Sequence, residues 1–247
     1  IDFNPKKAII GTASDDKTIV IGATAVPHGE ILEQIKPELE AKGYKLDIKL
    51  FDDYTLLNPG VDDGTLDANF FQHVPYLEQS VEGQGLDLDY TVKVHIEPMG
   101  LYSDKVTDIK DFKDGAEIAV PNDPSNEARA LKLLEANGLI KLNDSENPTA
   151  KDIAENPKNI KITEVQAEQV PRVLPDVDGA VINSNWALQA NLNPTKDSIA
   201  IESGDSPYAN ILAVKKSNKD LEKIKALSDA LTSEDVKKFI EEKYEGS

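Results

Sequence analysis

The chain has 247 residues, 39% hydrophobic and 29% charged, enough for one or two buried cores and too apolar for a disordered tail. Its 45 acidic residues against 27 basic ones leave a net charge of −18, a field that repels nucleic acid and anionic lipid surfaces. There is no cysteine, which removes thiol catalysis, disulfides and cysteine-ligated zinc, and the three histidines lack ligand-like spacing, so neither metal nor cofactor is expected.

Residues 1–17 are polar and aperiodic and read as a flexible arm. Thr18–Ala25 (TIVIGATA) is β-branched and almost uncharged, as a buried strand should be. Ile31, Ile35 and Leu39 recur at helical spacing and Gly43 stops that helix. Lys45–Phe51 alternates as a strand. A short strand over Leu66–Phe70, a helix over Gln72–Glu82 and a strand over Thr91–Ile96 follow. The strand Glu117–Val120 runs into Asp123 and Pro124, a good N-cap and first helical residue, and that helix ends near Gly138. Residues 141–159 are polar and read as a surface excursion. Ile160–Val165, Gly179–Ile182 and Tyr208–Val214 read as strands, and Asn218–Tyr244 as amphipathic helix. Strands alternating with helices predict an α/β protein with mostly parallel sheets. No run of about 18 apolar residues could span a bilayer. The start at Ile1, without methionine, reads as a mature or trimmed product.

The search for catalytic motifs is negative. No dinucleotide-binding glycine pattern follows a strand, and there is no P-loop, Gly-x-Ser-x-Gly or His-Glu-x-x-His. Pairs such as Asp52/Asp53 and Asp62/Asp63 read as solvated loop charges.

Three segments stand out. In FDDYTLLNP (51–59), Tyr54 follows a strand, either as a core aromatic capping the sheet or as a pocket wall. In DANFFQHVPYLEQ (67–79), Phe70 and Phe71 point to opposite faces of a strand, while His73 and Tyr76 share a helix face. Tyr54, Phe71, His73 and Tyr76 would together hold a flat or polarizable apolar group; core packing is the alternative. In VPNDPSNEARALKLL (120–134), Arg129 leans back toward a helix N-terminus, and dipole plus guanidinium make a carboxylate site. In so acidic a chain the commoner fate of an arginine is an ion pair with one of its carboxylates.

Together with IVIGATAVPHGEIL (19–32), EPMGLYS (97–103), AENPKNIKI (154–162), AVIN (180–183) and SPYANIL (206–212), these stretches resemble the NlpA-type methionine-binding lipoproteins, substrate receptors of bacterial ABC importers. The resemblance covers Thr18 to Tyr244. It implies a two-lobed type II periplasmic-binding-protein fold closing on its ligand about a hinge. Crossovers are expected near Glu97–Gly100 and Gly204–Pro207. They give residues 1–17 as a tether remnant, 18–98 plus 206–247 as one lobe and 99–205 as the other.

By the same resemblance Tyr54, Phe71, His73 and Tyr76 surround a thioether side chain, Arg129 holds the α-carboxylate, and Asn183 and Asn210 bond the amino-acid head group. Trp186 stands where an aromatic, often tyrosine, is expected. The implied protein is no enzyme and needs no cofactor. It binds L-methionine and delivers it to a membrane permease as a monomer, lipid-anchored outside the cytoplasm through a cysteine preceding this sequence. A methionine-containing dipeptide, D-methionine or another apolar amino acid is the nearest alternative ligand, and a small-molecule enzyme the remote alternative.

Overall fold

The computed structural model describes residues 16–204 and 207–244. The arm expected over residues 1–17 lies, but for its last two positions, outside the described residues. In chain order the elements are β1 (Thr18–Ala23), α1 (Glu30–Ala41), β2 (Lys45–Leu50), α2 (Leu57–Asp62), β3 (Ala68–His73), α3 (Val74–Gln84), β4 (Leu88–Ile96), β5 (Gly100–Tyr102) and β6 (Glu117–Pro121). Then come α4 (Pro124–Ala136), β7 (Lys141–Leu142), β8 (Ile153–Glu155), β9 (Lys161–Val165), α5 (Val170–Val173), β10 (Gly179–Ile182), α6 (Ser184–Gln189), α7 (Pro194–Asp197), β11 (Ala200–Ile201), β12 (Ala209–Lys215), α8 (Glu222–Leu231) and α9 (Glu234–Tyr244).

The chain divides into two compact units, with boundaries after Ile96 and before Pro207. The first unit holds a five-stranded sheet in the order β2-β1-β3-β12-β4. β1 runs parallel to β2 and β3, whereas β12 is antiparallel to both its neighbours, β3 and β4. β12 is apolar throughout its middle, with Ile211, Leu212, Ala213 and Val214 all fully buried, as a strand paired on both edges requires. Gly22 in β1 lies under Leu57 at the start of α2 and Leu66 beyond its end. A Cβ there would stand 2.7 Å from the side chains of Leu57 and Leu66.

The second unit holds the order β11-β5-β10-β6-β9. β6, β9 and β10 are parallel, and β5 is antiparallel to β10 and β11. Met99, Leu101, Ile118, Val120, Leu131 and Val181 are among the side chains of its core. Both sheets are thus mixed within an α/β fold.

Two expectations need correction, and two features go beyond the sequence reading. The helix foreseen from Gln72 starts at Val74, because β3 continues to His73. The helix foreseen over Asn218–Tyr244 is two, α8 and α9, broken at Thr232 and Ser233. The excursion over 141–159 lies mostly exposed, as expected, and also carries a two-stranded sheet, β7 with β8, with Leu142 buried. The short strands β5 and β11 escaped notice, being too brief to show any period.

Candidate functional site

In the first unit, β3 delivers consecutive side chains to opposite sides. Phe70 is fully buried and meets the edges of two imidazoles, His28 at 4.8 Å and His95 at 5.5 Å between ring centroids. Phe71 turns the other way, to Tyr54 at 5.3 Å and Tyr76 at 5.4 Å. Tyr54 and Tyr76 are 5.8 Å apart and edge-on, which closes a triangle of rings. Asp53 holds Tyr54 at the start of a short helical turn by accepting from the Thr55 N–H. A buried amide network lies behind that turn. Asn58 and Gln72 exchange two hydrogen bonds (3.0 and 2.7 Å), and Asn69 donates to Asn58 Oδ1 and the Leu57 carbonyl. It ties α2 to β3 with every amide engaged, and so fixes the approach of Tyr54 to Phe71.

His73 ends β3 and caps α3, its Nδ1 accepting from the Tyr76 N–H (3.1 Å). It does not share a helix face with Tyr76, as the sequence suggested. Its ring lies 4.9 Å from Tyr208, which precedes β12. Tyr54, Phe71 and His73 are buried, and Tyr76 and Tyr208 are half-buried.

Asn210 sits on β12 opposite His73 on one side and His95 on the other. Its Oδ1 is 2.7 Å from His28 Nε2, and His28 Nδ1 is 2.7 Å from Thr24 Oγ1. Facing an amide oxygen, Nε2 carries the proton, so Asn210 turns its NH2 away from His28. His28 and Thr24 had drawn no attention in the sequence. The only available signal was their spacing of four beside a strand end.

In the second unit, Asp123 and Pro124 start α4 as their sequence predicts. Asp123 Oδ2 accepts from the Asn126 N–H (3.1 Å), Asn126 Nδ2 (2.8 Å) and Ser125 Oγ (3.2 Å). Burial raises the Asp123 carboxyl above its ordinary range, against the pull of these donors. Burial also pushes Glu127 up to about 7, helped by the nearby Glu164 and Asp123 carboxylates.

Arg129 is 3% exposed, and its guanidinium is engaged within the unit. Nε donates to Glu202 Oε2 (2.8 Å), and Nη2 donates to Glu202 Oε1 (2.6 Å) and the Glu97 carbonyl (2.7 Å). The ion pair weighed against a ligand carboxylate is therefore present. Asn183 follows β10 and stands before α6, yet does not cap it. Its Nδ2 donates instead to Asn126 Oδ1 (3.2 Å). Its Oδ1 is buried and, among the described residues, has no hydrogen-bond partner. Trp186, one turn into α6, is buried as well. Of the candidate residues, Tyr54, Phe71, His73, Tyr76 and Asn210 thus belong to the first unit, and Arg129 and Asn183 to the second.

A profile of the NlpA lipoprotein family matches residues 19–247. The chain belongs to the NlpA lipoprotein family. Among its NlpA-family relatives is the methionine-binding lipoprotein MetQ of Bacillus subtilis, 43% identical over 96% of this chain and 89% of that protein. A nutrient-binding protein of Burkholderia cenocepacia, solved bound to methionine, is 47% identical with a TM-score of 0.90, covering 92% of this chain and 97% of that one. A periplasmic substrate-binding protein of an ABC transporter from Coxiella burnetii is 43% identical with a TM-score of 0.88, over 92% and 97% of the two chains.

Proposed function

We propose that this NlpA-family protein is a methionine receptor of an ABC importer, one that binds its ligand and releases it chemically unchanged. The ring triangle of Tyr54, Phe71 and Tyr76, with His73 beside it, carries the reading. Aromatic edges suit a thioether sulfur, at about 0.3–1.5 kcal/mol per contact. In this reading Arg129 serves the ligand carboxylate while held in place by Glu202, and Asn183 and Asn210 serve the head group. A planar guanidinium with five donors can satisfy two carboxylates together. The chain up to residue 98 with that from 206 would act as one lobe, and 99–205 as the other. The methionine named for the Bacillus and Burkholderia relatives, and the transporter named for the Coxiella one, support the same assignment.

The partner is then a membrane permease, and the receptor acts as a monomer held to the outer face of a membrane by a lipid. Among the described residues no helix is long and apolar enough to cross a membrane.

Calorimetric titration tests the assignment, using protein stripped of ligand by unfolding and refolding. L-methionine, D-methionine, a glycyl-methionine dipeptide and leucine form the panel. The expected result is tight binding of L-methionine, and an at least tenfold loss in Arg129→Ala. A preference for the dipeptide or for leucine, or a smaller loss, would overturn the ligand or the role of Arg129.

A further inference from the structure

A side-chain amide can offer an oxygen or an NH2 group, and its outward end decides whether it receives a cation or an anion. For Asn183 three contacts in the second unit settle the matter. Asp123 Oδ2 gathers three donors: Ser125 Oγ, the Asn126 N–H and Asn126 Nδ2. An ionised carboxylate oxygen has no hydrogen to donate, so all three bonds run into Oδ2. Asn126 must therefore turn its NH2 toward Asp123 and its oxygen away. That oxygen accepts from Asn183 Nδ2 at 3.2 Å. The Asn183 oxygen is then left over, in a residue only 6% exposed, with no partner among the described residues. A buried carbonyl in that state calls for a donor.

We propose that Asp123 and Asn126 are positioning residues that lock the Asn183 amide with its oxygen turned away from Asn126, where it receives the α-ammonium group of the ligand. The proposal rests on the reading that Asn183 contacts the head group, and deepens it by naming the charge received there. Asp123 thereby has two tasks. It caps α4 through the Asn126 backbone and sets the polarity of an amide two hydrogen bonds away. The ligand class follows: the position takes a hydrogen-bond donor, best a protonated amino group, and repels a carboxylate.

The test is a calorimetric double-mutant cycle with L-methionine on stripped and refolded protein, each variant first checked for a cooperative melt. Asn183→Asp offers oxygen whichever way it turns, so it is expected to bind at least tenfold more tightly than Asn183→Leu. Asn126→Leu, which leaves the Asp123 cap on the α4 backbone, is expected to weaken wild-type binding about tenfold. In the Asn183→Asp background, where nothing needs orienting, the same change should cost less than threefold. Should Asn126→Leu fail to fold, Asn126→Ala takes its place. Equal losses in the two backgrounds, or Asn183→Asp binding no better than Asn183→Leu, would overturn the proposal while leaving the methionine reading intact. Wild-type protein that binds no methionine would overturn both.

Discussion

Arg129 and Glu202 meet as a two-point ion pair, with Nε 2.8 Å from one carboxylate oxygen and Nη2 2.6 Å from the other. The side chains are 3% and 14% exposed, so neither charge is much screened by water. Arg129→Ala strands the Glu202 carboxylate, at an expected cost of about 3–5 kcal/mol of unfolding free energy. Glu202→Gln keeps one acceptor and should cost about 1–3 kcal/mol. Urea unfolding of the two variants measures both. Equal losses would contradict the ion-pair account.

A second buried pair fastens the C-terminal part of the chain to the first sheet. Lys223 of α8 lies 3.0 Å from Asp67, both 5% exposed, and also donates to the Thr18 carbonyl. Asp67 uses its other oxygen to accept from the Val20 N–H (2.8 Å). Lys223→Met is expected to lower stability by about 3–5 kcal/mol. Adding Asp67→Asn, which still accepts from Val20, should restore part of that loss. A double variant no more stable than Lys223→Met would show that the charge left behind was not the cause.

Glu127 gives the fold a pH dependence of definite sign. Its folded-state value of about 7 lies above the ordinary 4.5. Between those values the folded protein keeps a proton that the unfolded chain has shed, so stability falls as pH rises from 5 to 8. The shift corresponds to about 3 kcal/mol. Melting temperatures of wild type and Glu127→Gln across that range should converge near pH 5 and separate above it, with the variant the more stable. Parallel curves would remove Glu127 as the source.

Tyr76 separates binding from stability, because it is half-buried while Phe71 beside it is 4% exposed. Phe71→Ala should cost about 3–5 kcal/mol of stability. Tyr76→Leu should leave stability within about 1 kcal/mol. It should still weaken methionine binding roughly two- to tenfold, the loss of one sulfur–aromatic contact. Calorimetry and thermal melts on the two proteins distinguish these effects. Unchanged affinity in Tyr76→Leu would take Tyr76 out of the side-chain subsite.

What could be read in the sequence was local. Asp123 and Pro124 announce the start of α4 because cap and first residue are adjacent and need no partner elsewhere. The opposed directions of Phe70 and Phe71 follow from strand geometry alone. His73 was misplaced by one element because Gln72 and His73 look equally at home in a helix. The amide network that keeps Gln72 in β3 depends on Asn58, fourteen residues away. Two fates were open for Arg129, and its partner Glu202 lies 73 residues on, beyond any periodicity. The Thr24–His28–Asn210 relay stayed invisible for the same reason, since 182 residues separate its last two members.

The place of β12 has a consequence for how the protein comes into being. β12 pairs with β3 and β4, both made before the second unit begins, and is itself made after that unit ends. The second unit is one continuous stretch, so all of its sheet partners are made before β12 appears. The first must wait through its synthesis, roughly ten seconds at ordinary translation rates. During that interval β3 and β4 each present a bare hydrogen-bonding edge, the kind that invites pairing between chains. A nascent chain therefore passes through a stage with one half ahead of the other and its strand edges adhesive, and that stage is where chaperones have most to protect.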